Sequence, residues 1–264
     1  MKWVVFRSFV VVSAVTIALY SLLDGVVAID RQTRPELALG IIGYDAPAQA
    51  QLASRMQLKP DTATDGATAM SLAKMALRRE PGSATAARVI GFVKLADGDV
   101  RGALQALNYA HELTRRDLAA ELWLVEYAVQ RGDARKALNH MDAAASTNVE
   151  IRPTLFPIMA SAIADPRLAP PMTDMLARKP QWLYEFLLRA AQGNLTPEGG
   201  FERSPSSTAQ AKGALLLFEM LGKRGVPLQQ QLIDALNIRF ADQDPDLKRR
   251  TAALAPFVAP SVES

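Results

Sequence analysis

Apolar and small residues recur at three- and four-residue steps through most of the chain, and between Ala84 and Ser146 they do so twice in the same order. In the first pass Ala87, Ile90, Gly91 and Val93 form one face of a helix that stops at Asp97-Gly98. A second helix follows directly, with Ala103, Leu104, Leu107, Ala110 and Leu113 on one stripe and Arg101, Gln105, Asn108 and Glu112 on the face left to water. A connection this short leaves only antiparallel packing of the two helices. The pattern returns after 34 residues: Leu118, Leu124 and Val125, the turn Gly132-Asp133, then Ala137, Leu138, Met141 and Ala144. One period earlier, Ala69, Met70, Ala73, Ala76 and Leu77 match the second-helix stripe, and Pro81 stands where a proline would close the unit.

A small residue at the helix crossing, a glycine at the turn and alanines at the close contacts make this stretch similar to the tetratricopeptide repeat family. Gly91, Gly98, Ala103, Ala110 and Pro81 carry the resemblance, which covers Ala67 to Asn148. Ala87 and Glu121 stand where the family has a large residue, Lys94 and Ala128 where it has an aromatic, and Val125 where it has a small one. The resemblance implies an all-α fold, antiparallel helix pairs stacked as an α-solenoid whose first helices line a concave groove. Carried over position by position, that groove takes Arg88, Phe92 and Leu95 from one unit and Leu122, Glu126 and Gln130 from the next. Phe92 and Leu122 would form an apolar floor, with Arg88, Glu126 and Gln130 fixing the register of a bound protein segment.

Outside the repeats the chain divides into residues 1–30 and 149–264, with 31–148 as the repeat region. Lys2 and Arg7 precede a run from Ser8 to Leu23 that contains no charge. Counted from Trp3 it reaches about 21 residues, enough for the hydrocarbon core of a bilayer if Arg7 snorkels. Two readings stand: a single-pass signal anchor with the bulk of the chain periplasmic on a bacterial inner membrane, or a secretory signal cut after Ala28. Short helices are expected over Glu36 to Ile42, Ala48 to Met56 and Gly66 to Arg79, with Pro47 near a helix start. Beyond Asn148 the period is lost, and six prolines from Pro153 to Pro180 cut the chain into short apolar helices that continue or cap the stack. A loop is expected over Gly193 to Ser207, then helices over Thr208 to Leu221, Pro227 to Phe240 and Asp246 to Val258.

Composition narrows the function. A net charge of +3 on 264 residues specifically implies neither a nucleic-acid partner nor an acidic membrane surface, and the absence of cysteine removes disulfides, thiolate catalysis and Cys-ligated metals. His111 and His140 are the only histidines and form no HExxH pattern, so no metal or cofactor is expected. Glu121, Glu126, Glu185, Glu198 and Glu219 are candidate acids for polysaccharide cleavage, yet none sits in a catalytic sequence. Gly199-Gly200-Phe201 lacks the phosphate-loop pattern, Lys248-Arg249-Arg250 reads as a solvated helix face, and Trp123 and Tyr127 would meet on one side of a helix. The chain is thus expected to be a non-catalytic, membrane-tethered adaptor for a protein partner. The alternatives are a periplasmic cell-wall or polysaccharide enzyme, and a homo-oligomer that stacks through its own C-terminal helices.

Overall fold

The computed structural model describes residues 31–59, 64–193, 205–240 and 245–258, and among these every regular element is helical. The expected membrane segment lies outside the described residues, as do residues 194–204 of the expected loop. No helix among the described residues is long and apolar enough to cross a membrane. Two compact units divide at Ala120 and Glu121.

The first unit holds α1 (Pro35–Ile41), α2 (Ala46–Leu58), α3 (Asp65–Arg79), α4 (Ala84–Ala96) and α5 (Val100–Leu113). Helix α3 packs on α2 and α4, α2 also touches α4, and α4 pairs with α5. Small side chains make these approaches close: Ala46, Ala50, Ala53, Ala69, Ala73, Ala76 and Ala86 are buried beside Val89, Ile90 and Val93. Gly91 lets α4 and α5 approach closely, because a Cβ there would lie 2.6 Å from Cγ of Leu107. Helix α1 rests on α2 through Ala38 and Ala48, with Leu39 and Ile42 beside them. Two clamps hold the chain entering α1. Arg31 pairs with the buried Asp45 at 2.8 Å, and Arg55 Nη2 donates to the carbonyls of Gln32 and Thr33 at 3.0 and 2.6 Å.

The next helices are α6 (Leu118–Gln130) and α7 (Ala134–Thr147), and their bounds lie 34 residues beyond those of α4 and α5. The turns between the paired helices have the same chemistry. Gly98 and Gly132 take positive φ, +80° and +70°, which only glycine adopts without a Cβ penalty. Asp99 N–H donates back to the carbonyl of Lys94, and Asp133 N–H to that of Ala128. The two aspartates then cap the following helices through the N–H groups of Gly102 and Lys136.

These caps make acid sensitivity a property of the turns. The Lys94 side chain and then the Gly102 N–H hold the Asp99 carboxyl below its ordinary value. For Asp133 the Lys136 N–H acts first and the Lys136 side chain second. A carboxylate with a depressed folded-state pKa stabilises the fold fully above its unfolded value, about pH 4, and that contribution is lost as pH falls through the folded value. A double Asp99→Asn, Asp133→Asn variant keeps a capping oxygen without titrating. Thermal unfolding between about pH 5 and about pH 3 is therefore expected to fall less steeply for it than for the parent. Equal slopes would remove the two caps from the acid response.

The second unit continues with α8 (Arg152–Ala162), α9 (Ala169–Leu176), α10 (Leu183–Gln192), α11 (Pro205–Lys223), α12 (Gln230–Phe240) and α13 (Pro245–Ala252). Helix α10 packs on α8, α11 and α12, while α9 touches α7 and α11. Its core is larger-grained, with Phe156, Trp182 and Phe186 packed ring against ring at 5.5 to 5.8 Å between centroids. The Trp182 indole N–H donates to Asp142 and Ser146 on α7, both at 3.1 Å.

Three local expectations are corrected here. Pro157 lies at the middle of α8 and does not end it; the helix continues to Ala162 with one backbone bond forgone. Gly222 lies within α11, where a Cβ would meet the Phe257 ring at 2.4 Å, and the stop comes at Gly225 with φ +75°. Pro227 precedes α12 without joining it, because Leu228 donates its N–H to the carbonyl of Phe257 and forms an isolated parallel bridge with Val258.

Candidate functional site

The six positions expected to line a groove fall in two sets. Arg88, Phe92 and Leu95 are half-buried on α4. Arg88 is held by its own unit: Nε donates to Oδ2 of Asp117 at 2.7 Å and Nη2 to Oγ of Ser54 at 2.8 Å. Its guanidinium thus ties α2, α4 and the start of α6 together, since Asp117 also accepts from the Ala120 N–H. The other three positions, on α6, are exposed. Leu122 is 38% accessible, and Gln130 Nε2 donates to Glu126 Oε1 one turn away at 3.2 Å. Trp123 and Tyr127 stack at 5.3 Å beside them, and Arg131 lies over the Tyr127 ring while donating to its hydroxyl.

Two further features of the second unit are not evident in the sequence. A cavity of about 720 Å³ opens where the end of α6 meets α7, α8 and α9. Val129, Leu138, Met141, Ile158, Met159 and Met172 line it, and Val129 and Ile158 are more than half exposed. A lining of thioethers and aliphatics can re-form around apolar groups of different shape. The Asp165 and Arg167 side chains at its edge bind each other, and Arg167 holds the Asp165 carboxyl down to about 2. The contributors come from four helices, so no single stretch of sequence displays the cavity.

The second feature is Glu121, fully buried on α6, with Oε2 2.8 Å from Nδ1 of His140 on α7. Carboxylate and imidazole are metal-ligand and acid–base groups, and the two atoms lie within hydrogen-bond distance of each other. Glu121 lies on the buried side of α6 with Leu124 and Ala128. His111 is half-buried near the end of α5.

Among the described residues, the remaining candidate acids do not gather into a second carboxylate site. Glu185 pairs with Arg152 at 3.0 Å and Glu219 with Arg250 at 3.0 Å, while Glu198 lies outside the described residues. No family model, no curated protein and no solved structure matches this chain.

Proposed function

We propose that the chain is a non-catalytic scaffold of tetratricopeptide-like helix pairs, tethered to a bacterial inner membrane by residues 1–30 and binding a protein partner in envelope assembly or export. The observation that carries this reading is the repeat of α4 and α5 in α6 and α7 at a 34-residue interval with the same glycine–aspartate turn in both. A tethered scaffold raises the local concentration of its partner, so moderate affinity suffices. Leu122, Glu126 and Gln130 on α6 are the accessible part of the proposed binding face. The enzyme alternative draws little support, because the one fully buried glutamate among the described residues, Glu121, is closed off from solvent.

The bonds of Arg88 make it a poor probe of binding, since its loss would disturb three helices. Leu122→Glu combined with Glu126→Lys changes only exposed side chains. In pull-downs from detergent-solubilised membranes of the native host, a partner retained by the parent is expected to be lost by this variant, with helical circular dichroism unchanged. Retention of that partner by the folded variant would remove α6 from the binding face.

A further inference from the structure

The seven residues of α1 are apolar almost all round. Pro35 and Ala38 are buried, and Leu39 and Ile42 pack beside them against α2. Leu37, Gly40 and Ile41 fall at positions i, i+3 and i+4 on the other side, and these three are exposed, as is Tyr44 in the turn that follows α1. Leu37 and Ile41 are each 50% accessible and Tyr44 is 69%. A helix apolar on both faces is ordinarily covered on both. The only acid of α1, Glu36, is turned toward Arg55, 3.6 Å away. Arg34, three residues before Leu37, is exposed, and Arg79 lies over the Tyr44 ring at 5.8 Å.

What covers this face follows from the chain that leads into it. The uncharged run ends at Leu23, and only the seven residues Asp24 to Asp30 separate it from Arg31. That connection reaches at most about 28 Å. Arg31 is fixed to Asp45, next to Tyr44, and Arg55 holds the carbonyls of Gln32 and Thr33. The exposed face of α1 is therefore held within a short, bounded reach of the segment read as the membrane anchor.

We propose that Leu37, Gly40, Ile41 and Tyr44 dock on the surface of the phospholipid bilayer that residues 1–30 enter, an inference that rests on the anchor reading. Leu37 and Ile41 enter the boundary between headgroups and acyl chains, as the apolar face of an interfacial helix does. Tyr44 sits at headgroup level with its ring on the apolar side, and Arg34 and Arg79 face anionic lipid phosphates. Gly40 leaves α1 without a side chain between Leu37 and Ile41, so the backbone can lie flat. The contact fixes the orientation of the first unit on the membrane, which a single tether alone leaves free.

The chain has no cysteine, so one introduced thiol carries one label. Ile41→Cys, Val15→Cys and Ile238→Cys, each in the full chain with a polarity-sensitive fluorophore, are reconstituted in phosphatidylethanolamine–phosphatidylglycerol vesicles containing spin-labelled acyl chains. Residue 238 is exposed on α12 and serves as the reference. Quenching several-fold stronger at residues 15 and 41 than at 238 is expected. Quenching at 15 with residue 41 equal to 238 would overturn the docking of α1 and leave the anchor standing. An unquenched residue 15 would overturn the anchor reading and, with it, the docking that rests on it. A spectral shift at residue 41 that grows with protein concentration, without lipid quenching, would assign the face to a second copy and overturn the proposal.

Discussion

Gly213→Ala is expected to destabilise the second unit by about 3 kcal/mol, the upper range for overpacking a filled interior. The added Cβ would stand 2.2 Å from the carbonyl oxygen of Ile163, 2.7 Å from its carbonyl carbon and 2.6 Å from its Cγ2. Two of these atoms are main chain, so no rotamer change relieves the collision, and α11 must move away from the end of α8. The better helix propensity of alanine, about 1 kcal/mol, offsets only part of this. Gly66 in α3 supplies the contrast, because a Cβ there meets nothing within 4 Å. Gly66→Ala should gain about 0.5 to 1 kcal/mol by restricting the unfolded chain and favouring the helix. Urea unfolding of the two variants should thus shift in opposite directions. A Gly213→Ala protein as stable as the parent would mean that α11 does not lie against Ile163.

The second large effect is expected at the buried pair. His140→Leu removes a hydrogen-bond partner 2.8 Å from a carboxyl group that has no access to water. Removing one member of a buried pair costs about 3 to 5 kcal/mol. Replacing both members with leucine removes the carboxyl group as well and is expected to recover part of the loss, so the double variant should be more stable than His140→Leu alone. Urea midpoints at neutral pH measure both. A double variant weaker than the single one would show that the Glu121 carboxylate does not depend on His140.

Local demands are the ones the sequence displays. A left-handed residue followed by a capping aspartate is written in two adjacent positions, and Gly98-Asp99 and Gly132-Asp133 fold as their spacing requires. Packing demands need a partner, and the partner lies elsewhere. Gly222 has the look of a helix stop until Phe257 is placed against it. Arg88 has the position of a groove cation, yet its acceptors are Ser54 and Asp117, 34 and 29 residues away in the chain. Glu121 looks like a departure from a repeat pattern; its burial becomes intelligible only with His140, 19 residues later. The apolar cavity is hidden for a related reason, since its methionines each satisfy the core pattern of their own helix.

The burial of Trp182 has an optical consequence. Of the three tryptophans, Trp3 lies outside the described residues and both others, Trp123 and Trp182, belong to the second unit. Residues 31–120 contain none. Trp182 is enclosed by Phe156 and Phe186 with its indole N–H bonded, so its emission is blue-shifted when folded and moves red when water reaches it. Indole fluorescence of a chain beginning at residue 31 therefore watches one half of the molecule, while the alanine-cored half melts without an indole of its own and registers in the far-ultraviolet helical signal.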